Sequence, residues 1–255
     1  MVVGLDTFKA FFKDYSDSYL IIGGTACYFL IENEGFAPRA TDDIDMVLII
    51  EALTPEFFVE FWKFIKLGEY TINQIQEEKR NCYRFCEPGN KTFPKQIELF
   101  SKIPDLIPHD GEFHLTPIPT IEGVSNLSAI LLNEDYYNYT IEHSFVKDDV
   151  HYANIEAIIC LKAYAYLDNK KRKLEGQDVK QRDIDKHKYD IFRMVFLVSP
   201  ETRFEVPVII TNNLQAFVDE IADELPPQDT FKQNNYGKPD VQKLFMQLKT
   251  LFNLK

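Results

Sequence analysis

Phe8, Phe11, Phe12 and Tyr15 fall at helical spacing and predict an amphipathic helix over 6–16. Ser18 opens the apolar run Tyr19-Leu20-Ile21-Ile22, which ends at Gly23-Gly24 and predicts a short strand. The almost solidly apolar segment Thr25–Ile31 then predicts a buried helix. Gly35, Pro38 and their polar neighbours predict a loop over 33–42, and Ile44–Ile50 has the composition of a strand. Thr54-Pro55 is a helix start, a hydroxyl cap followed by proline at the first helical position. That helix carries Phe57, Phe58, Phe61, Trp62 and Ile65 and stops at Gly68. Cys82–Cys86 and Lys95–Phe100 read as two strands around the turn Glu87-Pro88-Gly89-Asn90.

Beyond residue 100 the pattern weakens and then changes. Phe113–Ile118 and Tyr139–Val146 are two more candidate strands. From Asn154, a good N-cap, helical periodicity dominates. Helices are expected from Asn154 to about Leu167, over 179–198, over 214–222 and over 241–251, with Pro200, Pro207, Pro226 and Pro227 between them. The pattern predicts an α/β (α+β) protein: a core over 1–126 with a short mixed sheet, followed by a mainly helical region over 127–255 that completes a cleft.

The chain of 255 residues is long enough to bury a core without metals or disulfides. Its formal charge of −12 argues against a surface that binds nucleic acid throughout. The charge is uneven, however. Between Lys162 and Arg193 ten basic residues face six acidic ones, whereas the rest of the chain has 18 basic and 34 acidic. Such an island is a solvated helical face or a site for a phosphorylated ligand. The N-terminus reads as having no signal peptide, and no run is long enough to span a membrane. Cys27, Cys82, Cys86 and Cys160 lie in apolar segments, which fits a reduced, cytoplasmic protein. The Cys82-x-x-x-Cys86 spacing without a second pair reads as core packing, not as a zinc site.

The candidate chemistry lies in Gly23-Gly24-Thr25 and in Arg39-Ala40-Thr41-Asp42-Asp43-Ile44-Asp45. Residues two apart on a strand share a face, so Asp43 and Asp45 place two carboxylates side by side. They repel each other unless a divalent cation sits between them, and magnesium takes one or two carboxylates together with substrate phosphates. Otherwise Asp42 and Asp43 punctuate a loop and Asp45 stands unpaired in an apolar strand. The diglycine allows the backbone to approach a ligand closely, and the helix start behind it favours anions. Thr25 adds a hydroxyl. Glu98, within Gln96-Ile97-Glu98-Leu99-Phe100, is a third strand carboxylate, either joining the aspartates or facing solvent from an edge strand.

Gly-Gly-Thr-Ala, then Arg-x-Thr-x-Asp-Ile-Asp, then a strand carboxylate resembles the nucleotidyltransferase superfamily with its DNA polymerase beta-like core. The nearest likeness is to the AbiEii toxin family. Lys162-Ala163-Tyr164-Ala165 resembles that family's Lys-x-x-Ala helix, and Lys186-His187-Lys188-Tyr189-Asp190 its later Lys-Asp-x-x-Asp motif, with His187 in the place of the first aspartate. The resemblance implies an enzyme that moves a nucleoside monophosphate from a nucleoside triphosphate to an acceptor hydroxyl. It also implies magnesium as cofactor and a toxin of a toxin–antitoxin or phage-defence pair, with transfer RNA as acceptor and an antitoxin partner. Asp43, Asp45 and Glu98 would hold metal, and Asp190 would orient Lys186 or the acceptor. Gly23, Gly24, Thr25, Arg39, Lys162 and Lys186 would contact the nucleotide. Lys162 lies in a helix that is apolar almost all round, so its ammonium needs an anionic partner or must snorkel to the surface. Lys170-Lys171-Arg172-Lys173 reads as a basic loop that grips RNA or merely solubilises a turn. Two other functions stay open: a nucleotide-binding module without transfer activity that works through a protein partner, and transfer to a small molecule.

Overall fold

The structure, a computed structural model, describes residues 2–72, 82–100, 102 and 133–255. The strand expected over 113–118 lies outside them. In chain order the elements are α1 (Leu5–Phe12), β1 (Tyr19–Ile22), α2 (Gly23–Asn33), β2 (Asp43–Leu48), α3 (Pro55–Gly68), β3 (Thr71–Ile72), β4 (Cys82–Cys86) and β5 (Gln96–Phe100). There follow α4 (Glu134–Glu142), β6 (Ser144–Lys147), β7 (Val150–Ala153), α5 (Ile155–Leu174), α6 (Gln181–Phe196), α7 (Val208–Ile221) and α8 (Val241–Leu251). The fold is α+β with a helical C-terminal region.

The chain divides into two compact units, and the division is interleaved along the sequence. The first comprises Met1–Ala26, Ala40–Asn133 and Ser144–Ala153; the second comprises Cys27–Arg39, Glu134–His143 and Asn154–Lys255.

The first unit is built on a mixed sheet with strand order β3-β4-β5-β2-β1-β7-β6. β2 runs antiparallel to β1 and parallel to β5, while β7 runs parallel to β1. The β4–β5 and β6–β7 neighbours are antiparallel pairs. Alternation assigns Ile44, Met46, Leu48, Ile97, Leu99, Phe85 and Tyr19 to one face of this sheet. All of them are buried. Aromatic side chains of α1 and α3 cover that face. Phe8 meets Tyr19 edge-on at 5.4 Å, and Phe61 meets Phe85 at 5.4 Å. Each such ring is worth ~1.5–3 kcal/mol in burial alone. The opposite face carries Asp43, Asp45, Gln96, Glu98, Arg84 and Cys86.

The second unit is helical. α5 packs on α6 and α7, α6 packs on α8, and α4 packs on α5 and α7. α5 starts at the expected cap, where the Asn154 side chain accepts from the Ala157 N–H at 3.2 Å. It does not stop near Leu167 but runs through Lys170–Lys173 to Leu174, so the expected basic loop is the last helical turn. Straight-chain Lys and Arg are good helix formers, and cations suit a helix C-terminus. The strand expected over Tyr139–Val146 is the end of α4 followed by β6. Tyr136, Tyr137, Tyr139 and Thr140 bury one side of that helix, and tertiary packing has overridden their strand propensity. β7 was not anticipated. α7 begins at Val208, directly after Pro207, rather than at 214. Among the described residues no helix is long and apolar enough to cross a membrane.

Candidate functional site

In the first unit β1 delivers the diglycine directly against the aspartates, because Ile22 is the register partner of Asp45. Gly23 has a positive φ of 66°, and a Cβ added there would lie 1.9 Å from Asp45 Oδ2. The position therefore requires glycine for two separate reasons, its backbone angle and the approach of the carboxylate. Gly24 follows in the first turn of α2. Thr25 is fully buried, and its hydroxyl donates to the Asp43 carbonyl at 2.6 Å. The threonine proton thus ties α2 to β2.

Asp43 and Asp45 are both half-buried and share one face, as alternation predicts. β5 lies parallel beside β2 and pairs Glu98 with Asp45, so all three carboxylates project from the same side of adjacent strands. Glu98 is only 4% exposed, which excludes the solvent-facing alternative. Its Oε1 accepts from Arg84 Nε at 2.8 Å, from Arg84 NH2 at 2.6 Å and from Gln96 Nε2 at 2.8 Å. Arg84 comes from β4, directly across the ladder. It is the partner that sequence reasoning missed, since only the register of β4 on β5 brings it to Glu98. Asp42, next in chain to Asp43, is ion-paired with Lys95.

The donor chemistry can be matched against magnesium. Asp43 and Asp45 offer hard oxygen ligands at the end of a rigid strand, and the cradle behind Asp45 is kept clear by Gly23. Two carboxylates suffice for an ion that keeps waters and takes phosphate oxygens. Glu98 fits less well as a third ligand, because one of its oxygens is already engaged by three N–H groups. Among the described residues no three histidines, cysteines or carboxylates form a group spaced to hold an ion.

The second unit contains the other expected residues. Lys162 on α5 is 5% exposed, and its Nζ donates to Asp190 Oδ2 at 2.7 Å. The anion that this buried lysine was expected to need is supplied by the chain itself. Asp190 Oδ1 accepts from Arg193 NH1 at 3.0 Å, and Arg193 NH2 reaches the Thr230 carbonyl at 3.1 Å. Burial opposes ionisation of Asp190, but the Lys162 ammonium and then Arg193 and Arg39 outweigh it and hold the carboxyl well below the usual range. Burial likewise pulls the Lys162 ammonium down, and Asp190 more than restores it. Lys186 and Arg39 are exposed. The buried lysine on α6 is Lys188, which donates to the Glu224 carbonyl at 2.9 Å.

His187 presents a buried Nδ1 without a hydrogen-bond partner. Burial first, then the nearby Lys162 charge, pushes its pKa down to about 3, so the ring is neutral at ordinary pH. Cys27 is buried, and burial raises its thiol to about 11 despite Lys162. Cys86 is half-buried rather than part of the core, with Sγ 3.5 Å from Gln96 Oε1.

No protein-family model matches this chain, and no curated protein matches its sequence.

Proposed function

We propose that the protein is a metal-dependent nucleotidyltransferase, with Asp43 and Asp45 holding magnesium and the phosphates of a nucleoside triphosphate beside Gly23 and Gly24. The observation that carries this reading is the close fit of the diglycine turn onto the aspartate strand. A left-handed glycine leaves no room for a Cβ against Asp45, and α2 starts at that point. Sequence motifs that resemble the nucleotidyltransferase superfamily support the same chemistry. Bound there, magnesium would neutralise phosphate charge and polarise the α-phosphoryl group.

The chain's own part is positional. α2 directs its first N–H groups toward the phosphates. The paired strands keep Asp43, Asp45 and Glu98 on one face, and Arg84 fixes the Glu98 side chain. In the reaction an acceptor hydroxyl oxygen forms a bond to the α-phosphorus. The bond from that phosphorus to the bridging oxygen breaks, pyrophosphate departs, and the hydroxyl proton passes through the carboxylates to water. In the second unit, the exposed cations Arg39 and Lys186 flank the Lys162–Asp190 pair and suit a phosphate group.

The test is ligand-induced stabilisation. A nucleoside triphosphate with magnesium at about 100 times its Kd should stabilise the fold by about 2.7 kcal/mol, because it binds the folded state alone. Asp43→Asn should abolish the magnesium-dependent part of the rise in melting temperature. Equal shifts in both proteins would remove Asp43 from the metal site.

A further inference from the structure

A cavity opens on the carboxylate face of the first unit. It measures about 1010 Å³ and is lined by Val3, Pro88 and Phe93 on its apolar side and by Cys86, Lys91, Lys95, Gln96 and Asp43 among its polar groups. Its volume is at the upper end for small-ligand sites. The turn between β4 and β5 forms its wall: Glu87 N donates to the Lys95 carbonyl at 3.1 Å and Phe93 N to the Asn90 carbonyl at 3.1 Å.

Asp43 is the one residue of the proposed triphosphate site that borders this cavity; Gly23, Gly24, Thr25 and Asp45 are not among its lining residues. Because β5 and β1 lie on opposite sides of β2, a molecule lodged against the β4–β5 turn would meet Asp43 from the side away from the diglycine. We infer that this cavity is the acceptor site and that the acceptor is a small sugar phosphate, free or as part of a mononucleotide. The inference rests on the nucleotidyl-transfer reading above.

The lining argues for that class. Lys91 is an exposed cation at the turn and suits one phosphate group, while Lys95 beside it is held by Asp42. Asp43, Gln96 and Glu87 offer acceptors for several sugar hydroxyls. Pro88, Phe93 and Val3 provide an apolar surface for a ring. A polynucleotide, the acceptor that the family resemblance implies, is disfavoured by charge. Outside Lys162–Arg193 the chain has 34 acidic residues against 18 basic, and the cavity itself sets two lysines against Glu87 and Asp43. A phosphate backbone needs a run of cations to replace its counterions, whereas a single phosphate needs one or two. In the transfer, a sugar hydroxyl facing Asp43 would bond to the α-phosphorus as pyrophosphate leaves.

Cys86 supplies the test, because its thiol lines the cavity and tryptic cleavage after Arg84 separates it from Cys82. The full chain is alkylated with iodoacetamide in the presence of ribose 5-phosphate, adenosine monophosphate or a short RNA, and the Cys86 peptide is quantified over time. Ribose 5-phosphate or the mononucleotide at about ten times its Kd should slow Cys86 alkylation about tenfold, leaving roughly a tenth of the sites free. Which of the two protects at lower concentration identifies the source of the sugar phosphate. In a Lys91→Ala protein, where only an exposed turn side chain is shortened, that protection should be lost while the melting temperature is retained. Protection by RNA alone would overturn the small-acceptor assignment, and protection by none of the three would overturn the site. Because no triphosphate is present, protection without the Asp43-dependent thermal shift would instead refute the transfer reading and leave the cavity a sugar-phosphate site.

Discussion

At Gly23 a single methyl group would be in conflict with both backbone and carboxylate. Gly23→Ala should lose ~1–2 kcal/mol for the left-handed conformation alone. The substitution must also push Asp45 aside, so the magnesium-dependent thermal shift should vanish; an alanine variant with normal urea unfolding and normal shift would refute the cradle. Asp190 is the other sensitive position. Asp190→Asn leaves Lys162 and Arg193 buried without their carboxylate and should cost about 3–5 kcal/mol by denaturant unfolding. Because the Asp190 carboxyl is held below its ordinary value, its contribution is complete above the ordinary carboxylate range and is lost as pH falls through and below that range. The asparagine variant should therefore show a flatter acid limb. His187 acts at higher pH. Its pKa of about 3 in the fold lies below the unfolded value, so the unfolded chain binds the extra proton in between. Stability should be full above about pH 6.5 and fall with acidification by up to ~1.4 kcal/mol per pH unit. His151, lowered mainly by burial, adds to the same slope. His187→Asn should remove one proton's share of that slope between pH 6 and 4; an unchanged slope would mean the ring charges freely in the fold. The shared face of Asp43 and Asp45 follows from strand alternation, and is visible in the sequence. The partner Arg84 is not, because it depends on a strand register that no local pattern encodes, whereas Arg193 stands three residues after Asp190 on one helix face and was open to a local reading.

The elements themselves divide by how local their causes are. α3 starts at Thr54-Pro55 and ends at Gly68 as read, since cap, proline and glycine act within one turn. Thr54 Oγ1 accepts from the Phe57 N–H at 3.3 Å, and Thr54→Ala should cost about 1 kcal/mol. For a chain of this size that is a fall of roughly 2–4 °C in melting temperature, and no fall would remove the cap from the account. β1, β2, β4 and β5 were legible for a similar reason: each is a short apolar run closed by turn residues. α4 was not, because four aromatic or β-branched residues on one buried helical side mimic a strand. β6 and β7 are short and carry polar residues, among them Ser144, whose Oγ lies 2.7 Å from His151 Nε2. They pair with each other as a local hairpin, but their place in the sheet is fixed by the pairing of β7 with β1, a contact more than a hundred residues apart in sequence.

Across the whole molecule, the sequence pattern indicated a change from mixed to helical character, but not the way the chain crosses between its two units. The β6–β7 hairpin lies beyond the weak middle of the chain yet belongs to the sheet, and most of α2 belongs with the helices. Both follow from pairing and packing over long sequence distances, which composition does not report. The charge distribution was legible from residue counts alone, and it bears on the acceptor: a chain with formal charge −12 repels a polyanion except where cations are concentrated. The central claim is that Asp43 and Asp45 support transfer of a nucleotide. Incubation of the full chain with magnesium, a sugar phosphate and each nucleoside triphosphate labelled in turn at its α- or γ-phosphate tests it most directly. The account predicts α-label in a new phosphodiester product, γ-label in released pyrophosphate, and neither with Asp43→Asn or Asp45→Asn. No α-label transfer above the level of the aspartate variants, with any triphosphate and with either a sugar phosphate or RNA as acceptor, would contradict it.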